Sequence, residues 1–227
     1  MRLRSLILGD IRFQVKYGFY LVYLIFSIFY ITLIFVFPDT WREKAAITMI
    51  FNDPSAMGLF FMGAIVLFEK SERVLNTIAI SPVKTHEYVL SKLVSIGFIS
   101  TMVGLAIGIT AKIIYDPLSF IIGIFLCSCL FSSIGLMIAC KIKTLNQFMI
   151  ATIPIEFLIN VPALLYLFGY KKKWLLLHPG VCTIEIFTTG NDIMLAMAVL
   201  LLWTLIFVAI SCSVVGKMFR SVGGIKL

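Results

Sequence analysis

Residues 58–100 read GLFFMGAIVLFEKSERVLNTIAISPVKTHEYVLSKLVSIGFIS, and this stretch decides the fold. Two apolar runs flank the charged segment 69–92. A run of roughly 20 apolar residues is what a helix needs to cross a hydrocarbon core of about 30 Å. The charges between the runs have to stay in water, so the pattern is two membrane spans joined by a polar connection. Working outward, the same alternation fills the chain. Hydrophobic residues make up 61% of its 227 positions and charged residues 13%, against roughly a quarter charged in soluble domains. Lipid is therefore the expected solvent for most of this surface.

Six apolar stretches are expected to span, near 18–37, 48–68, 93–110, 118–140, 147–168 and 193–215. The fold class is an all-α integral membrane protein with a single transmembrane domain over 1–227. The second stretch is interrupted at its start by Asn52, Asp53 and Pro54, read as the outer mouth of the span with Pro54 in its first helical turn. With both termini cytoplasmic, thirteen of the nineteen Lys and Arg fall inside and six outside, the bias that bacterial inner-membrane topology follows. That bias accounts for the net charge of +8 without invoking nucleic acid. The cluster Lys171–Lys173 runs against it.

Residues 1–17 alternate Leu3, Leu6, Ile7, Ile11 and Phe13 with Arg2, Arg4, Arg12 and Lys16. An amphipathic helix in the inner interface fits this pattern, and a plain basic flank orienting the first span is the alternative. Residues 169–192 carry an apolar part too short to span and broken by His178-Pro179-Gly180, which suggests a short extracellular helix or re-entrant hairpin. Cys127, Cys129, Cys140 and Cys212 fall in or beside spans, and Cys182 near the outside, so no disulfide framework is expected.

Within 69–92, the second span is expected to continue as a helix with Val74, Leu75 and Ile78 on one side. Pro82 would stop it near Ser81. A new helix would restart with Thr85 as N-cap and Glu87 in its first turn. The result is a helix, an elbow and a second helix projecting into the cytoplasm, or simply a solvated hairpin.

Further candidates lie inside the spans. Glu156, in IATIPIEFLINVP, is read as the carboxylate deep within a span, either lining a pathway or hydrogen-bonded near Asn160. Pro154 and Pro162 flank it and are expected to kink that helix. Phe60 and Phe61 are candidates for an adaptable greasy surface. Ser100, Gly104 and Gly108, and to a lesser extent Ser128 and Ser132, form small-residue faces suited to close helix packing.

The run from Gly58 to Gly97, with GLFFMGAIVLFEKSER and SPVKTHEYVLSKL, resembles the coupling region of type-2 ABC exporter permeases. It is most similar to permeases of fluoroquinolone export, whose peptide-exporting relatives move phenol-soluble modulins. The resemblance implies the membrane subunit of an exporter of amphipathic peptides or hydrophobic drugs. It implies pairing with a second permease, identical or homologous, and with two copies of an ABC ATPase that bind ATP and magnesium. It places Glu69, Lys70, Glu72, Arg73, Ser81, Pro82, Thr85, His86 and Glu87 at the ATPase contact. The chain itself has no G-x-x-x-x-G-K-[ST] loop, so nucleotide chemistry is expected elsewhere. Its two histidines, His86 and His178, fall on opposite sides by this topology, so neither a catalytic nor a metal site is expected. The rival readings are the membrane subunit of an energy-coupling importer and a non-transporting scaffold or immunity protein.

Overall fold

The computed structural model describes residues 2–81, 83–188 and 190–222, and every regular element among them is a helix. The amphipathic segment forms α1 (Arg2–Lys16), and α2 (Phe19–Val36) follows after a turn at Gly18, whose φ of 78° glycine tolerates. Next come α3 (Asp39–Asn52), a π-helical turn (Asp53–Met57), α4 (Gly58–Ser71) and the short α5 (Val74–Ile80). Three long helices follow, α6 (Thr85–Ala111), α7 (Pro117–Lys141) and α8 (Leu145–Leu167). A 3-10 turn (Lys173–Leu177), α9 (Pro179–Phe187) and α10 (Ile193–Val222) complete the fold.

Among the described residues five helices, α2, α6, α7, α8 and α10, are long and apolar enough to cross a membrane. The expected second span is built differently. Its helix starts at Asp39 rather than near residue 48, and Pro54 lies midway instead of in the first turn. Proline in a helix interior removes a hydrogen bond and crowds the carbonyl a turn back. The π turn over Asp53–Met57 is where the backbone absorbs that interruption. Other ends obey local rules: Asp116 accepts the Leu118 N–H at 3.3 Å with Pro117 opening α7, and Thr144 accepts the Gln147 N–H at 3.4 Å at the start of α8.

α7 stands at the centre, packed against α4, α6, α9 and α10. In a membrane, close packing and hydrogen bonds between helices replace the hydrophobic drive. A Cβ placed on Gly135 of α7 would collide with the Leu59 carbonyl oxygen, so α4 and α7 touch backbone to backbone. Ser132 donates to the Gly58 carbonyl at 3.4 Å on the same face. The α6 face with Gly104 and Gly108 lies against Ile124 and Phe120 of α7. Ser211 and Thr204 of α10 donate to the Ser133 and Leu126 carbonyls of α7 at 2.9 and 3.3 Å.

The segment after α8 dips back into the bundle. Gly180 at the start of α9 lies against the Ile159 carbonyl in the middle of α8, while Ile186 near its end meets Gly123 near the start of α7. It therefore forms a hairpin folded against the bundle, with His178 at its tip. Trp203 donates to the Leu177 carbonyl at 2.9 Å, and Tyr166 to Glu185 at 2.7 Å, so irregular backbone here is lined by protein. Cys182 is fully buried in this hairpin, and all five cysteines are free.

Replacing Gly135 with Leu should force α4 and α7 apart. We expect a loss of about 1–3 kcal/mol, the usual cost of overpacking a tight core. A lowered melting temperature of the purified protein in detergent would show it, and an unchanged one would contradict the backbone contact.

Candidate functional site

The charged segment 69–92 splits into an inward and an outward half. Lys92 of α6 is 1% exposed. Its ammonium meets Glu69 of α4 at 2.6 Å and Asp10 of α1 at 2.8 Å. Tyr88, one helical turn before Lys92, donates to the other Glu69 oxygen at 2.7 Å. The Tyr88 ring faces the ammonium at 4.9 Å and packs edge-on against Phe219 of α10 at 5.2 Å. One buried cation thereby ties together α1, α4, α6 and α10. Nearby, Gln14 of α1 donates to Ser95 at 2.8 Å, which fixes the amphipathic helix on α6.

Lys70 is also spent internally. Its ammonium donates to the carbonyls of Ala139, Cys140 and Ile142 at 2.6, 2.9 and 2.9 Å, capping the end of α7. Lysine suits a helix C-terminus because the last carbonyls lack partners and carry partial negative charge. Glu69 and Lys70 were expected at a partner surface; instead they lock the bundle.

What faces outward begins at Glu72 and Arg73, both exposed. The chain breaks there as well as at Ser81, where α5 ends as expected. Arg73 adopts φ 57°, a conformation unusual for a residue with a Cβ, and α5 starts anew at Val74. Leu75 of α5 is buried, Asn76 and Thr77 are exposed, and α5 lies against α4 and α10. Ser81 folds back to the Ile78 carbonyl at 2.7 Å, and Pro82 lies outside the described residues. Thr85 is the first residue of α6 instead of its cap; Lys84 holds the cap position, where Glu87 accepts its backbone N–H at 2.9 Å. His86 is exposed. The elbow therefore presents Glu72, Arg73, Asn76, Thr77, Lys84 and His86 as one contiguous stretch of chain on a stiff base.

The residues expected along a pathway do not come together. Phe60 packs edge-on toward Phe148 of α8 at 6.3 Å, whereas Phe61 lies against Tyr23 and Phe19 of α2 at 4.7 and 5.4 Å. They serve two different helix contacts. Glu156 and Asn160 are half-buried on α8, and the Glu156 Oε1 and Asn160 Oδ1 atoms each lack a hydrogen-bond partner. No hydrogen bond joins Glu156 to Asn160 among the described residues. Asp53, passed over as part of a span mouth, is fully buried at the π turn with both carboxyl oxygens unpartnered. Tyr23 and Tyr30 of α2 and Ser100 of α6 are its polar neighbours, and Tyr23 and Ser100 bond each other at 3.3 Å. The signal that finds this group is the stripe Tyr20, Tyr23, Ser27 and Tyr30, which puts hydroxyl groups on one face of an otherwise greasy helix.

Removing one partner of a buried ion pair strands the others and costs about 3–5 kcal/mol. Lys92→Met should therefore lower the melting temperature strongly, and adding Glu69→Gln and Asp10→Asn should restore most of it. No recovery in the triple variant would mean that stranded carboxylates are not what the Lys92 substitution costs.

A family profile for the fluoroquinolones export permease proteins matches residues 1–222, almost the whole chain. Two proteins from different strains of Mycobacterium tuberculosis, each named a fluoroquinolones export permease protein, are 25% identical to it over 159 residues, covering 69% of this chain and 67% of theirs. These relatives are permeases by name, membrane components of transport rather than catalysts. With several helices apolar enough to cross a bilayer and a profile match along nearly its full length, this multi-pass membrane protein belongs to the fluoroquinolone export permease family.

Proposed function

We propose that the chain is the membrane-spanning subunit of an ATP-driven exporter, powered by two copies of a separate ABC ATPase and paired with a second permease. The observation that carries this reading is the elbow at 72–86 anchored by the buried Lys92 cluster. A load applied to exposed residues on α5 or at the start of α6 has little slack to take up before it reaches α1, α4, α6 and α10. In this reading the composite helix from α3 to α4 crosses the bilayer as a sixth span. The end bearing α1 and the elbow faces the cytoplasm of a bacterial cell, where Lys and Arg are concentrated. Helix α1 lies along that inner surface, and the hairpin of residues 169–192 lies toward the outside.

The cargo is an amphipathic or hydrophobic compound. The relatives' printed name makes fluoroquinolones the first probes, and short amphipathic peptides of similar character are the second. Glu156, Asn160 and Asp53 are the polar groups placed where a moving cargo or a second permease copy could complete them.

The reading is tested by co-purification with candidate ABC ATPases, followed by ATP hydrolysis with and without cargo. Reversing charge on the exposed elbow, in Glu72→Arg with Arg73→Glu, should reduce cargo-stimulated hydrolysis roughly five- to tenfold, equivalent to about 1–1.4 kcal/mol of coupling. The melting temperature should stay unchanged, because neither side chain is buried. Glu156→Gln should lower the same stimulation, and normal transport would remove Glu156 from the pathway. Failure to bind any ATPase would overturn the exporter reading.

A further inference from the structure

Three acids are buried among the described residues: Asp53, Glu69 and Glu185. Glu69 is balanced by Lys92 and receives the Tyr88 hydroxyl. Glu185 accepts from the Tyr166 hydroxyl at 2.7 Å and from the Asp192 N–H at 3.2 Å. Asp53 differs from both. It is 0% exposed, and neither of its carboxyl oxygens meets a donor. An unpaired carboxylate is costly in such a place, because water is stripped from it and nothing takes the water's role.

Helices α6 and α7 pack on the π turn that carries Asp53. The titratable and polar groups facing it are Tyr23 and Tyr30 of α2, Ser100 of α6 and Cys127 of α7. None of these is a cation. The inward-facing cations are committed elsewhere, Lys70 to the end of α7 and Lys92 to Asp10 and Glu69. Hydroxyls can hydrogen-bond a carboxyl in either protonation state, yet they bring no charge to balance it. What balances Asp53 must therefore be small enough for a closed site, which leaves a proton or a bare metal ion. A metal ion needs oxygens gathered around one point, whereas Tyr23 and Ser100 bond each other at 3.3 Å. A proton needs no room.

The backbone at this position is also unusual. π turns are rare and occur often at functional sites, and helices broken within a membrane hold coupling ions and protons in transporters. Here the Gly58 N–H donates to the Asp53 carbonyl, so the turn runs directly into α4. The far end of α4 carries Glu69 and Lys70, which lock the base of the elbow. At about 1.5 Å per residue, one stiff helix of roughly 20 Å joins Asp53 to that lock.

We propose that Asp53 is a proton-binding site. Its carboxyl is protonated while the π turn is packed against α2, α6 and α7, and it ionises only when the turn separates from them and water enters. The proton passes between the carboxyl and water, with no other reactant. A ligand shifts a conformational equilibrium only by its differential affinity for the two states. Acid therefore favours the packed placement of α4, and alkali the opened one. The site itself does not rest on the exporter reading; under that reading it makes the position of the elbow respond to pH.

The test uses the full-length permease in nanodiscs, without an ATPase. The chain has five aspartates, so carbonyl-labelled aspartate gives a sparse carbon-13 spectrum in which protonation state is read from chemical shift. Asp53→Asn assigns the Asp53 signal. Asp53→Glu, which removes the residue from an aspartate-labelled spectrum but keeps a carboxyl, assigns it should the amide variant not fold. We expect a neutral carboxyl at pH 7 and no response when sodium is replaced by choline. A carboxylate signal at pH 7 would overturn the proposal, and one that depends on sodium would identify a metal-ion site instead. Reversible unfolding supplies an independent reading. The packed site holds a proton that the unfolded chain has released, so wild-type stability falls relative to Asp53→Asn as pH rises. With one proton involved, the ratio of their folding equilibria should change about tenfold per pH unit above about pH 5. A ratio that stays constant up to about pH 8 would also overturn the proposal. Neither measurement involves an ATPase, so failure of the exporter reading would leave both outcomes standing.

Discussion

Lys92 carries an ammonium to a place where almost no water reaches, and one whole end of the bundle is arranged around satisfying it. Two carboxylates and a tyrosine ring surround the charge, each from a different part of the chain. A charge that deep is tolerable only with partners of good geometry, because desolvating it alone costs several kcal/mol. The requirement is demanding in space: α1, α4 and α6 have to arrive together or none of the groups is satisfied. The cluster fixes the angle at which the exposed elbow leaves the membrane domain. The three carbonyls gathered by Lys70 do the same for α7, the most enclosed of the five long apolar helices.

The remainder of the bundle is held by contacts that work without water. Glycine and serine on α4, α6 and α7 let backbones approach, and hydroxyls on α10 reach the carbonyls of α7. By contrast, α2, α8 and α10 leave most of their apolar surface uncovered within one chain. The packed centre and the greasy periphery divide the molecule into a rigid part and a part that meets lipid or another protein. An open apolar groove beside the hairpin tip sits on the boundary between them.

Much of this was legible from residue order. Runs of apolar residues located α2, α6, α7, α8 and α10 to within a few residues in their apolar parts, since a bilayer imposes length and polarity locally. The broken stretch after α8 was readable as non-spanning for the same reason. The elbow was readable only in outline. Pattern alone carried the helix through to Ser81, whereas Arg73 turns it in the left-handed region, because α5 has to lie back across α4 and α10 to bury Leu75. Likewise the charge pattern made Glu69 and Lys70 look like surface groups. Their partners, Lys92, Tyr88 and the end of α7, are distant in sequence, and no local rule anticipates them.

The sequence by itself determined that this chain lives in a membrane, where most of its helices lie, and which segment is the charged elbow. Those properties follow from solvent preference summed over neighbouring residues. The tertiary structure decided which charges face outward and which are consumed inside. It also placed Asp53 in a buried π turn and left an open apolar groove between Lys141 and His178. Such features depend on where distant helices cross, and that is settled by packing rather than by any single stretch of residues.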